Sequence, residues 1–321
     1  MIKVAIIGAA GYTGGELIRL LLLHPAVGEK NMTVVSSSHA GKSVATAHPD
    51  LAGDTDLVFS DAFASADVVF LCQGHGNART WMYEHKPSAS TRVIDLSIDH
   101  RLDTTWTYGL PELHRDTIRT ATRVANPGCF ATAIELALLP LRDALQHDVH
   151  VTALTGSTGA GQAPSDTSHF SWRANNAGVY KAFDHQHLPE IYNALRWSAG
   201  TTGTKQGPNI VLVPMRGSWT RGILASCVVR TSLSHEDAKQ RFASAYVEHP
   251  FTHLVDDLPD LKRVVGTNKC LFGLQKQGEQ LLIVSVVDNL LKGASGQAVQ
   301  NMNLLCGLAE TDGLLLKAGA Y

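Results

Sequence analysis

The sequence predicts an α/β protein in two parts, a parallel sheet with helical crossovers followed by an α+β part built on a mostly antiparallel sheet. Three observations carry this. Residues 3–8 (KVAIIG) are a short β-branched run ending in glycine, and apolar residues at helical spacing follow from Gly15 to Leu23. Further short strand-like runs at Thr33–Ser36, Asp67–Leu71, Arg92–Leu96 and Arg123–Ala125 alternate with helical or loop segments, as right-handed βαβ units require. After Asn126–Cys129 and an apolar helix expected over Ala131–Leu145, the pattern changes. Longer strand runs, Val149–Leu154, Asn209–Met215, Gly222–Thr231 and Gln280–Val287, then succeed one another with few helices between them. A final helix is expected over Ala294–Ala309, with Gly296 near its start, and the Gly/Thr-rich stretch Ser198–Gly207 reads as a mobile loop.

At 321 residues the chain exceeds a usual single domain, so two domains are expected. Hydrophobic residues make up 44% and charged residues 17%, which suffices for a large core, and the 28 glycines point to many tight turns. The net charge of −2 and the lack of any Lys/Arg run argue against nucleic-acid or membrane partners. The sequence opens directly on a strand, without a charged leader and apolar run. Its apolar stretches, such as Leu20–Leu23, fall far short of the roughly 20 residues a membrane span needs, so a cytoplasmic protein without a signal peptide is expected. Five cysteines (72, 129, 227, 270 and 306) contain no CxxC pair. That pattern predicts neither a disulfide framework nor a metal site, and each thiol has to be judged alone.

Gly8-Ala-Ala-Gly11-Tyr12-Thr13-Gly14 lies between the first strand and the first helix. Glycines there let the backbone approach a pyrophosphate, and the helix N-terminus adds N–H groups and a positive dipole end. A purely structural turn is the alternative. An NAD site usually ends its second strand on an acidic residue. Here the chain reads Ser36-Ser37-Ser38-His39-Ala-Gly-Lys42, without a carboxylate, so hydroxyls and nearby cations favour the 2′-phosphate of NADP(H) over a plain polar turn. Gln73, Gly74, His75 and Gly76 should lie over the cofactor at the C-terminal edge of the sheet.

Asn126-Pro127-Gly128-Cys129 turns sharply into the next helix, and a thiol at a helix start is stabilised as thiolate by the dipole and the unbonded N–H groups. The same groups can bind a developing oxyanion. Cys72, Cys227, Cys270 and Cys306 lie in or beside apolar runs, where inert buried thiols are usual. A thiolate beside a nicotinamide implies attack on an activated carbonyl, loss of phosphate and hydride reduction to an aldehyde. The acid/base would come from His185-Gln-His187-Leu-Pro-Glu190, with His187 ahead of His185 and Glu190 orienting the imidazole from one helix face. In a chain with fifteen histidines, a surface or capping role is the alternative.

Together the motifs resemble the N-acyl-γ-glutamyl-phosphate reductases of the superfamily that includes aspartate-semialdehyde dehydrogenase. The resemblance rests on GAAGYTGGEL (8–17), DLSIDHR (95–101), YGLPE (108–112), NPGCFAT (126–132), GSTGAGQ (156–162), HQHLPEI (185–191), PMRGS (214–218) and DNLLKGASGQAVQN (288–301), in order over nearly the whole chain. It implies a Rossmann NADP-binding domain at 1–129, a catalytic and dimerisation domain at 130–293, and a C-terminal helix, 294–321, returning to the first. It also implies NADPH-dependent reduction of an N-acylglutamyl 5-phosphate in arginine biosynthesis, by a homodimer or homotetramer. Cys129 carries over as nucleophile and His187 as acid/base. Ser157–Gly161, with Gly159, looks like the loop near substrate and nicotinamide, and Asn289 like a nicotinamide neighbour.

Asn126, Ser157, Arg216 and Lys292 are the candidate substrate contacts. Arg216 would clamp a carboxylate or phosphate, or end a strand at the surface; Lys292, in a Gly-flanked turn, would hold phosphate or cap a strand. Tyr108–Glu112 shapes the pocket or is a structural turn. Gln186 replaces the arginine many relatives carry between the histidines. The segment 163–181 resembles a subgroup using an N-succinyl group, whose extra carboxylate would meet Arg173 or Lys181. Competing expectations are an aspartyl-phosphate or aminoadipyl-phosphate reductase, and an NADP-binding regulatory protein, which would need no nucleophile.

Overall fold

The computed structural model describes residues 1–197 and 207–319, so the loop expected at Ser198–Gly207 lies, except for Gly207, outside the described residues. The chain divides into two compact units. One is Met1–Gly128 with Ala294–Leu316; the other is Cys129–Gly293 with the residues from Lys317.

The first unit is α/β. Its elements are β1 (Val4–Ile7), α1 (Tyr12–Leu22), β2 (Met32–Val35), β3 (Val68–Leu71), α2 (Asn77–His85), β4 (Arg92–Asp95), β5 (Thr107–Tyr108), α3 (Pro111–Thr120) and β6 (Arg123–Ala125). The strands form one parallel sheet in the order β2-β1-β3-β4-β6-β5. β1 and β3 are buried along their whole length, which is why VAII and VVFL read as continuous apolar runs rather than alternating ones. α1 starts at Tyr12, earlier than the apolar spacing suggested, because its first turn is made of Tyr12, Thr13 and two glycines. The short edge strand β5 carries no run that would announce it.

The second unit holds α4 (Cys129–Leu138), β7 (Val149–Thr155), α5 (Phe170–Arg173), β8 (Gly178–Val179), α6 (Leu188–Leu195), β9 (Ile210–Arg216), β10 (Ile223–Arg230), α7 (His235–Tyr246), β11 (Thr252–Leu254), β12 (Cys270–Gln277) and β13 (Gln280–Val287). Its seven strands run in the order β11-β12-β13-β10-β7-β9-β8. Four pairings are antiparallel; β7 with β9 and β11 with β12 are parallel. The expected mostly antiparallel sheet is therefore present. Alternate residues of β7 and β10 are buried, the signature of strands with one face on a core.

α4 differs from expectation at both ends. It begins at Cys129 itself and stops at Leu138, where Pro140 converts the continuation into the short 3-10 turn Leu139–Leu141. α7 lacked a periodic apolar signal because it buries only Ala238, Phe242 and Tyr246, one residue per turn; its Ser234/Asp237 capping box starts it instead. The final helix is likewise shorter than expected. A π-helical turn, Leu291–Ser295, leads into α8 (Gly296–Leu305), which belongs to the first unit and is buried throughout. Of its buried polar residues, Asn301 Nδ2 donates to Gly109 O (2.9 Å) and Asn303 Oδ1 meets His24 Nε2 (2.9 Å), whereas both side-chain polar atoms of Gln297 have no hydrogen-bond partner among the described residues.

Candidate active site

Cys129 is the first residue of α4, where helical N–H groups have no intrahelical acceptor. None of the five cysteines is in a disulfide. Burial pushes the thiols of Cys72 and Cys227 up to about 12 and raises that of Cys306 as well, so these are poor nucleophiles at neutral pH. The partly exposed Cys129 sits directly against backbone: a Cβ added to Gly293 would lie 2.8 Å from its Cβ. Glycine at 293, within the π-turn, is what lets these two segments close on each other.

The residue after Cys129 brings the histidines in. The Phe130 ring lies 5.2 Å from that of His185 and 6.2 Å from that of His187, and the two imidazoles are 4.7 Å apart, edge to face. His185 Nδ1 accepts the His187 backbone N–H (3.3 Å), which leaves Nε2 as the protonated nitrogen of the neutral ring. Burial, then the positive charges of Lys181 and Arg216, lower the His185 pKa to about 4. His187 precedes α6, whose first turn carries the buried Glu190; His187 Nε2 and Glu190 Oε1 are 3.9 Å apart, ion-pair range but too long for a hydrogen bond.

Arg216 ends β9 with its guanidinium carbon 4.5 Å over the Tyr180 ring, and its buried Nε has no hydrogen-bond partner among the described residues. Tyr180 was not picked out from the sequence; nothing at position 180 marks it until β8 is seen to pair with β9. Its hydroxyl is pushed up to about 12, first by burial and then by the Cys129 charge, with Arg216 opposing. Lys181, five residues earlier, donates to Gln186 Oε1 (3.2 Å). Arg173 braces its segment: its Nε and Nη2 donate to Thr167 O and its Nη1 to Arg216 O.

The loop Ser157–Ala160 follows β7 as a 3-10 turn, and Gly159 packs on Thr155. Asn289 ties it down, accepting from Gly222 N at Oδ1 (2.7 Å) and donating from Nδ2 to Thr158 Oγ1 (3.0 Å). Lys292, expected in a turn, lies in the π-helical segment Leu291–Ser295 and is fully buried.

In the first unit, Asn126 is buried and structurally engaged. Its N–H donates to Asp95 O (2.8 Å), its Nδ2 to Ala294 O (3.1 Å), and its Oδ1 accepts from Asn301 (3.1 Å). Arg101, a buried cation not singled out from the sequence, donates to Asn126 O (3.0 Å). Tyr108–Glu112 spans the end of β5 and the start of α3.

The glycine turn fits a dinucleotide. A Cβ on Gly14 would lie 2.6 Å from Ala9 Cα, Gly8 has φ +85°, and no side chain caps the start of α1 at Gly11. Gln73 Oε1, just beyond β3, is buried without a partner among the described residues. Ser36 follows the second strand; its Oγ lies 3.3 Å from Ser38 Oγ, which lies 2.9 Å from His39 Nδ1, and Ser37 opens the 3-10 turn Ser37–His39. Among the described residues no group of three or more His, Cys, Asp or Glu could hold a metal ion.

Fold and site together define a semialdehyde-dehydrogenase type of protein. Residues 3–121 match the family model described as semialdehyde dehydrogenase, NAD binding domain, and residues 129–289 match semialdehyde dehydrogenase, dimerisation domain. Among solved structures, the chain is similar to aspartate semialdehyde dehydrogenase II from Vibrio cholerae, complexed with ASA (TM-score 0.74, 18% identity, 96% of this chain and 98% of that one). It also resembles the Candida albicans aspartate semialdehyde dehydrogenase with NADP (TM-score 0.69, 18% identity, 95% and 98%). Curated relatives named N-acetyl-gamma-glutamyl-phosphate reductase match over 100% of both chains, at 51% identity in Christiangramia forsetii and 50% in Bacteroides thetaiotaomicron. The chain belongs to the N-acetyl-gamma-glutamyl-phosphate reductase family.

Proposed function

We propose that the protein reduces an N-acyl-L-glutamyl 5-phosphate to the 5-semialdehyde with NADPH, releasing phosphate, as a step of arginine biosynthesis. The observation that carries this is Cys129 heading α4 with Phe130 packed on both His185 and His187. In this reading the Cys129 sulfur attacks the acyl carbon, a C–S bond forms, the C–O bond to phosphorus breaks, and inorganic phosphate leaves. The N–H groups at the start of α4 stabilise the oxyanion. Gly8, Gly11, Tyr12, Thr13 and Gly14 would hold NADPH, with Ser36–Ser38 on the 2′-phosphate side and Gln73 and Gly74 beyond the next strand; when bound it would supply the hydride that reduces the thioester. The C–S bond then breaks and the aldehyde leaves, regenerating the sulfur. His187 moves the proton, its ring oriented by Glu190, and neutral His185 donates from Nε2. Arg216, stacked on Tyr180, clamps a carboxylate or the phosphate, and Ser157 and Gly159 line the same side.

The dimerisation-domain match over 129–289 supports an assembly of like chains, a homodimer or homotetramer, which sedimentation would count. No helix among the described residues is long and apolar enough to cross a membrane, in keeping with work on a small dissolved substrate in the cytoplasm. The test is phosphate-dependent reduction of NADP⁺ by N-acylglutamate semialdehyde. Loss of this activity in Cys129→Ser is expected; a fully active serine variant would end the covalent mechanism. Running the assay with N-acetyl, N-succinyl and aspartyl substrates identifies the acyl group.

A further inference from the structure

The motif GYTGG contains one glycine more than a pyrophosphate turn needs, and the segment around His48 has no part in the chemistry above. The two meet. A Cβ on Gly15 would come within 2.5 Å of His48 Cε1 and 2.6 Å of its Nδ1. The imidazole, only 4% exposed, therefore occupies the space beside α1 that any other residue at 15 would fill. From there its Nε2–H donates to Ala9 O (2.9 Å), a carbonyl inside the glycine turn. The same carbonyl lies 2.7 Å from where a Gly14 Cβ would stand, so the turn's inner face is closed by two missing side chains and one ring.

The segment carrying His48 is itself bolted to α1. Asp50 takes both Arg19 Nε and Nη2 at 2.6 Å, and Arg19 Nη1 reaches Glu16 (3.1 Å). His48 N donates to Val44 O (2.9 Å), and the buried Phe59 ring stands 6.4 Å from the imidazole. Burial lowers the His48 pKa, with the Arg19 charge acting the same way against Asp50 and Glu16, so the ring is neutral near pH 7 and carries its proton on Nε2.

We propose that His48 is a positioning residue for the dinucleotide: by holding Ala9 O and filling the gap left by Gly15, it fixes the Gly8–Gly14 turn in the shape that receives the pyrophosphate. This rests on the reading that the turn binds NADPH. Neither residue touches substrate or reacting atoms, so the effect belongs to cofactor affinity rather than turnover.

Titrating the full-length protein with NADPH by fluorescence, alongside steady-state kinetics and melting curves, tests it. His48→Ala should raise the NADPH Kd and KM about tenfold, the scale of one lost buried hydrogen bond, while kcat at saturating NADPH stays within about twofold. His48→Gln, whose amide can reach Ala9 O, should recover most of the affinity. Gly15→Ala should weaken binding by a similar factor in the wild-type background and by less than about twofold when His48 is already alanine, because the two substitutions act on one contact. Unchanged affinity in His48→Ala, equal losses in the Gln and Ala variants, or fully additive losses in the double variant would each overturn the proposal while leaving the cofactor reading intact. A wild-type protein that binds no NADPH would overturn both.

Discussion

At Gly14 an added methyl carbon would meet Ala9 Cα at 2.6 Å, whereas at position 187 the relevant measure is an imidazole nitrogen 3.9 Å from a buried carboxylate. The two units thus build their sites by opposite means. The first shapes backbone and keeps side chains away, so its tolerance is steric. The second gathers ionisable side chains in a buried cluster, so its tolerance is electrostatic and protonic. Damage to the first should appear in cofactor affinity, and damage to the second in turnover and its pH dependence.

The largest effect should come from the second. Cys129→Ser is expected to lower kcat by about 10⁴-fold, with NADPH affinity unchanged in a direct titration. His187→Asn should follow with a loss of about 10³-fold in kcat and little change in KM, read from steady-state kinetics. Gly14→Ala tests the other side: NADPH KM should rise about 10²-fold while kcat at saturation is largely kept, since a contact of 2.6 Å must be relieved by moving the turn. A kcat collapse in that variant would erase the contrast between the units. Gly293→Ala sits where the two principles meet, a steric change beside the proposed nucleophile; slower alkylation of Cys129 by iodoacetamide, by about tenfold, is expected.

The smallest effect concerns stability. The folded-state pKa of His185, about 4, lies below the ordinary 6.5, so the unfolded chain takes up a proton that the folded one refuses. Stability is then complete above pH 6.5 and declines as pH falls towards 4. His185→Asn should flatten that part of the curve of Tm against pH; an unchanged slope would show that the imidazole is not buried neutral.

The same division governs what could be read in the sequence. β1 and β13 are legible because their signal is local, a run rich in β-branched residues ending at a turn. The spacing of His187 and Glu190 was legible too, since three residues on a helix fix a face. What escaped depends on distant partners. β12 is interrupted by Gly273, and α7 shows a single apolar residue per turn. The stack of Arg216 on Tyr180 exists only because β8 pairs with β9 across thirty-odd intervening residues. The sequence places the helix start near Ala131, because the motif's turn residues conceal that Cys129 itself is helical.

Lys292 carries one more consequence. A lysine side chain at 0% exposure is out of reach of amine-acylating reagents while its surroundings are closed, and comes within reach when they open. Its rate of labelling, followed by peptide mass, is therefore a built-in clock for local opening around the π-turn. Because Lys292 adjoins Gly293, which abuts Cys129, a ligand that tightens the surroundings of Cys129 should slow that clock before any change in global melting is seen.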